Sequence, residues 1–364
     1  MKNIIIGLSL FFTSPIYTIA QSKKDIAQAE IYYKEAIELS RMSNSRDKAI
    51  VLLKKAEHLD PDNIDYPYEV AHVFYKQSKY LKAVQYLSRY TFHENVNEQS
   101  FELLGDSYKR LKQYDDAIDA LNDGIYQFPN SGKLFHEQGV IEYRRKDYNK
   151  AMSYWEQGIK ADPNFSSNYY SLAKLLSYSN ETVWAVLYGE MFMNLEPTTE
   201  RSEEMSQILY KTYKKSIHLN VDPTNVQFTQ DVILPSSILK DSEISFPFVY
   251  GLSMVKSIVK EASNYNNTLS LAALNSVRQQ FIAEWYKNKM NKEYPNIIFD
   301  FQNSLEKNGH IESYNYWLLM HGNASEFKEW LEENKTEFDR FVKWYENHRL
   351  KTNEKKYFSR RNYD

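Results

Sequence analysis

The sequence predicts an all-α chain: five stacked pairs of antiparallel helices, then a mostly helical C-terminal domain. Three observations predict it. Alanine returns at a constant interval of 34 residues, at Ala49, Ala83, Ala117, Ala151 and Ala185. A turn position keeps the same phase, at Pro61, Asn95, Pro129, Pro163 and Pro197. Apolar residues between these marks fall at helical rather than strand spacing. A chain built from repeated units adds neighbours instead of enlarging one core, so 364 residues need not divide into separate globular domains.

The first 20 residues are expected to be an export signal. Lys2 is followed by an apolar stretch from Ile4 to Phe12, a polar break, and Thr18-Ile19-Ala20 before Gln21. That apolar stretch is short for a membrane span of about 20 residues, and it fits a cleavable signal peptide. Residues 21–29 then lead in. The expected destination is the periplasm, with outer-membrane association or secretion as alternatives. The chain has no Cys, so no disulfide-linked partner, thiolate nucleophile or lipidated cysteine is available to it.

Within residues 30–218 four series share one register. A small-residue series runs Ile37, Ala71, Gly105, Gly139, Ala173, and a ring series runs Tyr80, Tyr114, Tyr148. In the third unit the first helix is predicted over Glu98–Leu111 and the second over Tyr114–Tyr126. Gly105 and Ala117 let backbones approach, while Leu104, Tyr108, Ile118 and Leu121 fill the seam. Pro129 stops the second helix because it disfavours helical geometry at Phe128 and has no N–H. In the fourth unit Tyr148 opens the second helix, Ala151 is its close-packing point, and Trp155 is expected to be core filler rather than a binding ring.

These residues resemble the tetratricopeptide repeat family. Phe101, Leu104-Gly105, Tyr108, Ala117, Gly124 and Pro129 match its pattern, as do Phe135, Gly139, Tyr148, Ala151, Gly158 and Pro163. Gln138 and Glu142 depart from it, standing where Leu and Tyr are usual. The second unit keeps Ala71, Phe74, Tyr80 and Ala83. The first unit (Tyr33, Ala49, Leu53, Ala56, Pro61) and the fifth (Tyr169, Leu172, Ala173, Ala185, Pro197) are degenerate, as end units with one repeat neighbour should be.

The resemblance implies an α-α solenoid whose first helices line a concave groove. On it the groove residues are Tyr68, His72, Tyr75 and Lys76; Glu102, Asp106, Lys109 and Arg110; His136, Tyr143 and Arg144; and Tyr170, Lys174 and Tyr178. Rings would hold apolar side chains of an extended protein or peptide while Lys and Arg meet its acidic groups. Some relatives grip a C-terminal carboxylate with Lys and Asn. His72, Asp106 and Val140 stand at the amide positions here, which argues against that arrangement.

Beyond Pro197 the register fades. A helix over Glu203–His218 is expected, then an irregular linker with short strands over residues 219–247. A mostly helical domain should cover residues 248–348, with helices at Tyr250–Ala262, Leu269–Met290, Phe299–Lys307 and Ser313–Met320. A last long helix should be capped at Ser325 and carry a stripe of Phe327, Trp330, Leu331, Phe338, Phe341, Trp344 and Tyr345. Residues 349–364 form a basic tail, with Arg349, Lys351, Lys355, Lys356, Arg360 and Arg361 expected in solvent; the alternative is a peripheral contact with phosphate or a membrane surface.

Signals for chemistry are thin. The chain lacks the His-Glu-x-x-His, phosphate-loop, Gly-x-Ser-x-Gly and calcium-loop patterns. His321 and Glu326 do not have convincing ligand spacing, and Asp115-Asp116 are expected to serve a helix start. A net charge of −3 gives no basic field for nucleic acid. The expectation is a non-catalytic scaffold with no cofactor and no metal, binding a protein or peptide of the cell envelope. The alternative is an enzyme or carbohydrate module in the C-terminal domain, with Trp285, Trp317 and Trp330 stacking on sugar rings.

Overall fold

A computed structural model describes residues 23–217, 245–261 and 269–363. The expected signal peptide and nearly all of the expected linker lie outside the described residues. Among those described there is no extended strand; helices account for every named element. The chain divides into two compact units, Met1–Gln113 and Tyr114–Asp364.

The first unit contains α1 (Lys23–Arg41), α2 (Arg46–Leu59), α3 (Asp65–Lys76), α4 (Tyr80–Leu87) and α5 (Glu98–Arg110). The second begins with α6 (Tyr114–Gln127), α7 (Gly132–Arg144), α8 (Tyr148–Ala161), α9 (Ser166–Ser177), α10 (Thr182–Leu195) and α11 (Glu200–Ser216). It continues with α12 (Phe246–Glu261), α13 (Leu271–Lys287), α14 (Met290–Glu293), α15 (Ile297–Lys307), α16 (Ile311–Leu319) and α17 (Ala324–His348).

The period governs where helices begin. Second helices start at Arg46, Tyr80, Tyr114, Tyr148 and Thr182, and first helices at Glu98, Gly132, Ser166 and Glu200, at the 34-residue interval throughout. So α11 stays in phase, a sixth first helix that the sequence marks only weakly. All five anchor alanines are at most 1% exposed. At Gly139 an added Cβ would come within 2.2 Å of the Trp155 indole nitrogen. That nitrogen donates to the His136 carbonyl at 3.2 Å, so Trp155 is a core ring locked against α7. Gln138 and Glu142, where the family pattern breaks, are both buried. Each has found polar partners: Gln138 donates to Asn122 at 2.7 Å, and Glu142 lies 3.4 Å from Arg145.

Ser78, Lys112 and Lys146 take left-handed backbone angles, with φ of 58°, 62° and 65°. They occupy one position of the repeat and close α3, α5 and α7 in the same way. The residue after each donates its N–H five residues back, to Phe74, Tyr108 and Glu142. This satisfies carbonyls that a helix end otherwise leaves unpaired.

Helix α10 is mostly apolar and buried almost end to end, with Glu190 and Asn194 among its buried polar groups, as expected for a helix wrapped by others. A single core runs from Ala151 to Phe358, so the last repeats and the C-terminal helices share one interior. Trp285 is 1% and Trp317 8% exposed, and Trp330 stacks on Tyr316 with centroids 4.1 Å apart. The expected sugar-stacking platform is overturned, because these rings spend their faces on packing.

Two further expectations are corrected. Ser325 does not cap α17; the helix begins at Ala324 after Asn323, and the Ser325 hydroxyl donates to the Asn323 side chain. The helix also kinks at Asn334, whose side-chain amide donates to the Trp330 carbonyl at 2.8 Å.

The basic tail is solvated only in part: Arg349, Lys351, Lys355 and Lys356 are exposed as expected, but the segment that carries them is docked on the helices. Leu350 and Phe358 are buried, and the Thr352 hydroxyl donates to the Pro163 carbonyl. Tyr363 stacks on Phe246 at 4.2 Å. Arg360 and Arg361 each bring Nε to buried Glu156, at 2.5 and 2.7 Å. An isolated carboxylate would be costly there, so the tail supplies its counter-charge.

Candidate functional site

The expected groove residues fall into both units and behave differently in each. In the first unit, Tyr75 on α3 donates its hydroxyl to Asp106 on α5. Lys109 reaches the same carboxylate at 2.7 Å, and Arg110 donates Nε to the Tyr75 hydroxyl at 3.1 Å. These four residues tie α3 to α5, so most of their polarity is spent inside the protein. The Tyr68 and His72 rings lie 5.8 Å apart, and His72 Nδ1 is 3.3 Å from Glu69. Burial, with Glu69 and Glu102 nearby, pushes the Tyr68 hydroxyl up to about 12. Lys76 is exposed, and its carbonyl accepts from Arg46 at 2.9 Å.

In the second unit the first helices α7 and α9 form a recess of about 280 Å³. Val140, Leu175 and the edge of Trp155 contribute apolar surface, and Tyr143, Tyr170 and Tyr178 contribute rings. Ser171 and Lys174 complete the lining. Tyr143 is 47% and Tyr178 78% exposed, so both rings stand in solvent. His136 lies behind this lining, its Nε2 3.0 Å from the Ser171 hydroxyl and its ring stacked on Trp155. Arg144 is exposed and outside the lining.

Charge at the recess is already compensated. Glu204 of α11 receives the Tyr170 hydroxyl and lies 2.6 Å from Lys174 Nζ. The Lys174 and Tyr170 hydrogen bonds hold the Glu204 carboxyl below its usual range, and Glu204 in turn raises Lys174. Arg201 sits 5.1 Å from the Tyr170 ring and donates Nε to Glu196 at 2.9 Å.

The structure therefore unites Tyr143, Tyr170, Lys174 and Tyr178, four of the six groove residues expected in this unit. Sequence reasoning missed Ser171, Leu175 and Glu204, noted Val140 only as a groove position without an amide, and gave Trp155 only its packing role. The signal for Glu204 was present: Tyr68, Glu102, His136, Tyr170 and Glu204 are successive members of one 34-residue series. A second series is His72, Asp106, Val140, Lys174 and Ile208, in which only Val140 and Ile208 cannot be charged.

Comparison with known proteins bears on this arrangement. The model of the tetratricopeptide repeat matches residues 18–41, and that of the anaphase-promoting complex, cyclosome, subunit 3 matches residues 42–124. The chain is a tetratricopeptide repeat protein. The Hsp70-Hsp90 organizing protein 3 of Arabidopsis thaliana is 24% identical over 41% of this chain and 28% of its own length. Tetratricopeptide repeat protein 21B of Mus musculus is 26% identical over 49% of this chain and 14% of its own length. The chain thus spans less than a third of either repeat-containing relative.

Solved structures of such proteins are similar too. The pilF structure from Pseudomonas aeruginosa has a TM-score of 0.44 at 20% identity, covering 53% of this chain and 86% of that one. The C-terminal part of a TPR repeat-containing protein from Cytophaga hutchinsonii has a TM-score of 0.42 at 14% identity, covering 84% of this chain and 98% of that one.

Among the described residues, no group of three or more His, Asp or Glu could hold a metal ion, and no helix is long and apolar enough to cross a membrane. His321 and Glu326 serve the backbone: the His321 N–H donates to Ser206, and Glu326 accepts from the Ala272 N–H at 2.9 Å. Asp115 lies in the first turn of α6 and pairs with Arg145.

Proposed function

We propose that this tetratricopeptide repeat protein is an exported, non-catalytic adaptor that holds an extended segment of a partner protein in the cell envelope. The observation that carries the binding reading is the recess beside Val140, where Tyr143 and Tyr178 stand exposed over apolar side chains. Exposed rings beside a pocket are the side chains that most often dominate protein recognition. Export rests on the layout of residues 1–20, and the envelope is the compartment that such a signal implies. Binding would need only shape and surface complementarity, with no chemical step.

The test has two parts. N-terminal sequencing of the protein from fractionated cells should find Gln21 first, in the periplasmic or outer-membrane fraction. Capture from envelope extract should recover a partner with residues 21–364 and lose it with Tyr143→Ala and Tyr178→Ala together, circular dichroism being unchanged. An uncleaved cytosolic protein would overturn the export reading, and a partner retained by the double variant would overturn the groove. Tyr68→Ala with Tyr75→Ala is a poorer choice, since Tyr75 also ties α3 to α5 through Asp106.

A further inference from the structure

We infer that the recess beside Val140 selects a bulky, uncharged side chain, aliphatic or aromatic, from the bound protein segment. The inference rests on the adaptor reading and supplies the chemistry of what is recognised. It corrects the sequence expectation that Lys and Arg of this face meet acidic groups.

The argument begins with the repeat position. His72, Asp106, Val140 and Lys174 are successive occupants of one place in the 34-residue unit. Among the five helix pairs the fourth alone puts an aliphatic side chain there, and the recess opens at that point; Ile208, the next occupant on α11, is packed against the core instead. Leu175 and the Trp155 edge extend the apolar surface, while Tyr143 and Tyr178 rise from the last turn of α7 and the end of α9. At about 280 Å³ the space accepts one large side chain rather than a folded element.

Charge decides the rest. Among the described residues of the lining Lys174 alone is cationic, and its ammonium lies 2.6 Å from Glu204. Tyr170 also donates to that carboxylate. An incoming acidic group would have to displace Glu204 from both partners, exchanging one ion pair for another with no net gain. An incoming cation would lose its water beside a carboxylate, Glu204, that Lys174 and Tyr170 already occupy. An uncharged side chain pays neither cost and removes apolar surface from water, worth about 25 cal/mol per Å². Ser171, 3.0 Å from His136, already has a polar partner and makes no demand on the ligand.

Three acetylated and amidated Gly-Ser peptides, with a central Phe, Glu or Lys, test this against residues 21–364 carrying labelled Val and Leu methyl groups. The Phe peptide should move the Val140 and Leu175 signals saturably, with the Glu and Lys peptides about tenfold weaker, a difference of about 1.4 kcal/mol. Raising salt from about 0.05 to about 0.5 M should change the Phe response less than about twofold, since no charge pair forms. Val140→Glu should abolish it. Tyr178→Ala, which removes a ring that is 78% exposed, should weaken it about fivefold.

The inference is overturned if the Glu or Lys peptide binds as well as the Phe peptide, if the shifts appear away from Val140 and Leu175, or if Tyr178→Ala has no effect. Partner capture that depends on Tyr143 and Tyr178 without peptide discrimination would keep the adaptor and remove this selectivity. A saturable Phe response without partner capture would do the reverse.

Discussion

One terminal nitrogen of Arg278 on α13 lies 3.0 and 3.1 Å from the two carboxylate oxygens of Glu190 on α10. Neither side chain reaches solvent appreciably, at 6% and 1% exposure. Gln302 and Tyr314 also donate to Glu190, at 2.6 and 2.9 Å. Arg278 gives Nε to Asn315 at 2.8 Å and Nη1 to the Tyr213 hydroxyl at 2.5 Å. A buried pair is tolerable only when its remaining donors and acceptors are met, and here the neighbours meet them. The network joins the last repeat to α11, α13, α15 and α16.

Removing both partners should therefore cost less than the two single removals added together. Arg278→Met and Glu190→Gln, singly, should each lower unfolding stability by about 3–5 kcal/mol, because a charge or its donors are left buried and unmatched. The double variant should cost less than the sum. Urea unfolding of the four proteins measures this; single losses below about 1 kcal/mol would mean that the pair is not the fastening described.

Gly139→Ala should destabilise by about 1–3 kcal/mol through overpacking. Its Cβ would meet the Trp155 ring at 2.2 and 2.4 Å, and the indole is held by its bond to the His136 carbonyl. Since Trp155 also lines the recess, ligand response should fall with stability. An unchanged denaturation midpoint would show that the indole can move aside freely.

Lys146→Gly should stabilise. Lys146 holds φ at 65°, where a Cβ is strained and glycine is not. Glycine costs more entropy on ordering, so the net gain expected is about 0.5–1 kcal/mol. Ser78→Gly and Lys112→Gly should act alike, and thermal melting of the three variants checks the direction.

Acid should loosen the link between α9 and α11. Glu204 has a folded-state pKa below its ordinary 4.5, so its contribution is complete above that value and is lost as pH falls through the folded one. Lys174 is raised from 10.5, so its contribution holds below that value and is lost as pH rises through the folded one. The pair is partly exposed, so the effect is under about 1 kcal/mol. Glu204→Gln should flatten the acid limb of a melting-temperature profile; an unchanged limb would assign acid sensitivity elsewhere.

Much of the solenoid was legible because its cause is local and periodic. Ala117 and Ala151 must be small wherever two helix backbones approach, and the repetition of that need is visible without coordinates. Tyr80, Tyr114 and Tyr148 each open a helix for the same reason at the same phase. Other features leave no local mark. Nothing near Arg360 and Arg361 announces Glu156, two hundred residues earlier, so a charged tail read as solvated. Trp285 and Trp317 look alike in sequence whether they bind or pack. Ser325 was a plausible cap by residue type, but Asn323 and Glu326 had already arranged the turn.

By itself the sequence determined the repeat: its length, its register, the starts of its helices, and the small residues that let them touch. Those follow from short-range backbone geometry repeated unit by unit. Only the tertiary structure decided which groove side chains remain available. Tyr75 and Asp106 consume each other, as do Lys174 and Glu204, while Val140, Tyr143 and Tyr178 are left open beside apolar surface. Pairing depends on distances between side chains some thirty residues apart, and a one-dimensional pattern does not contain those distances.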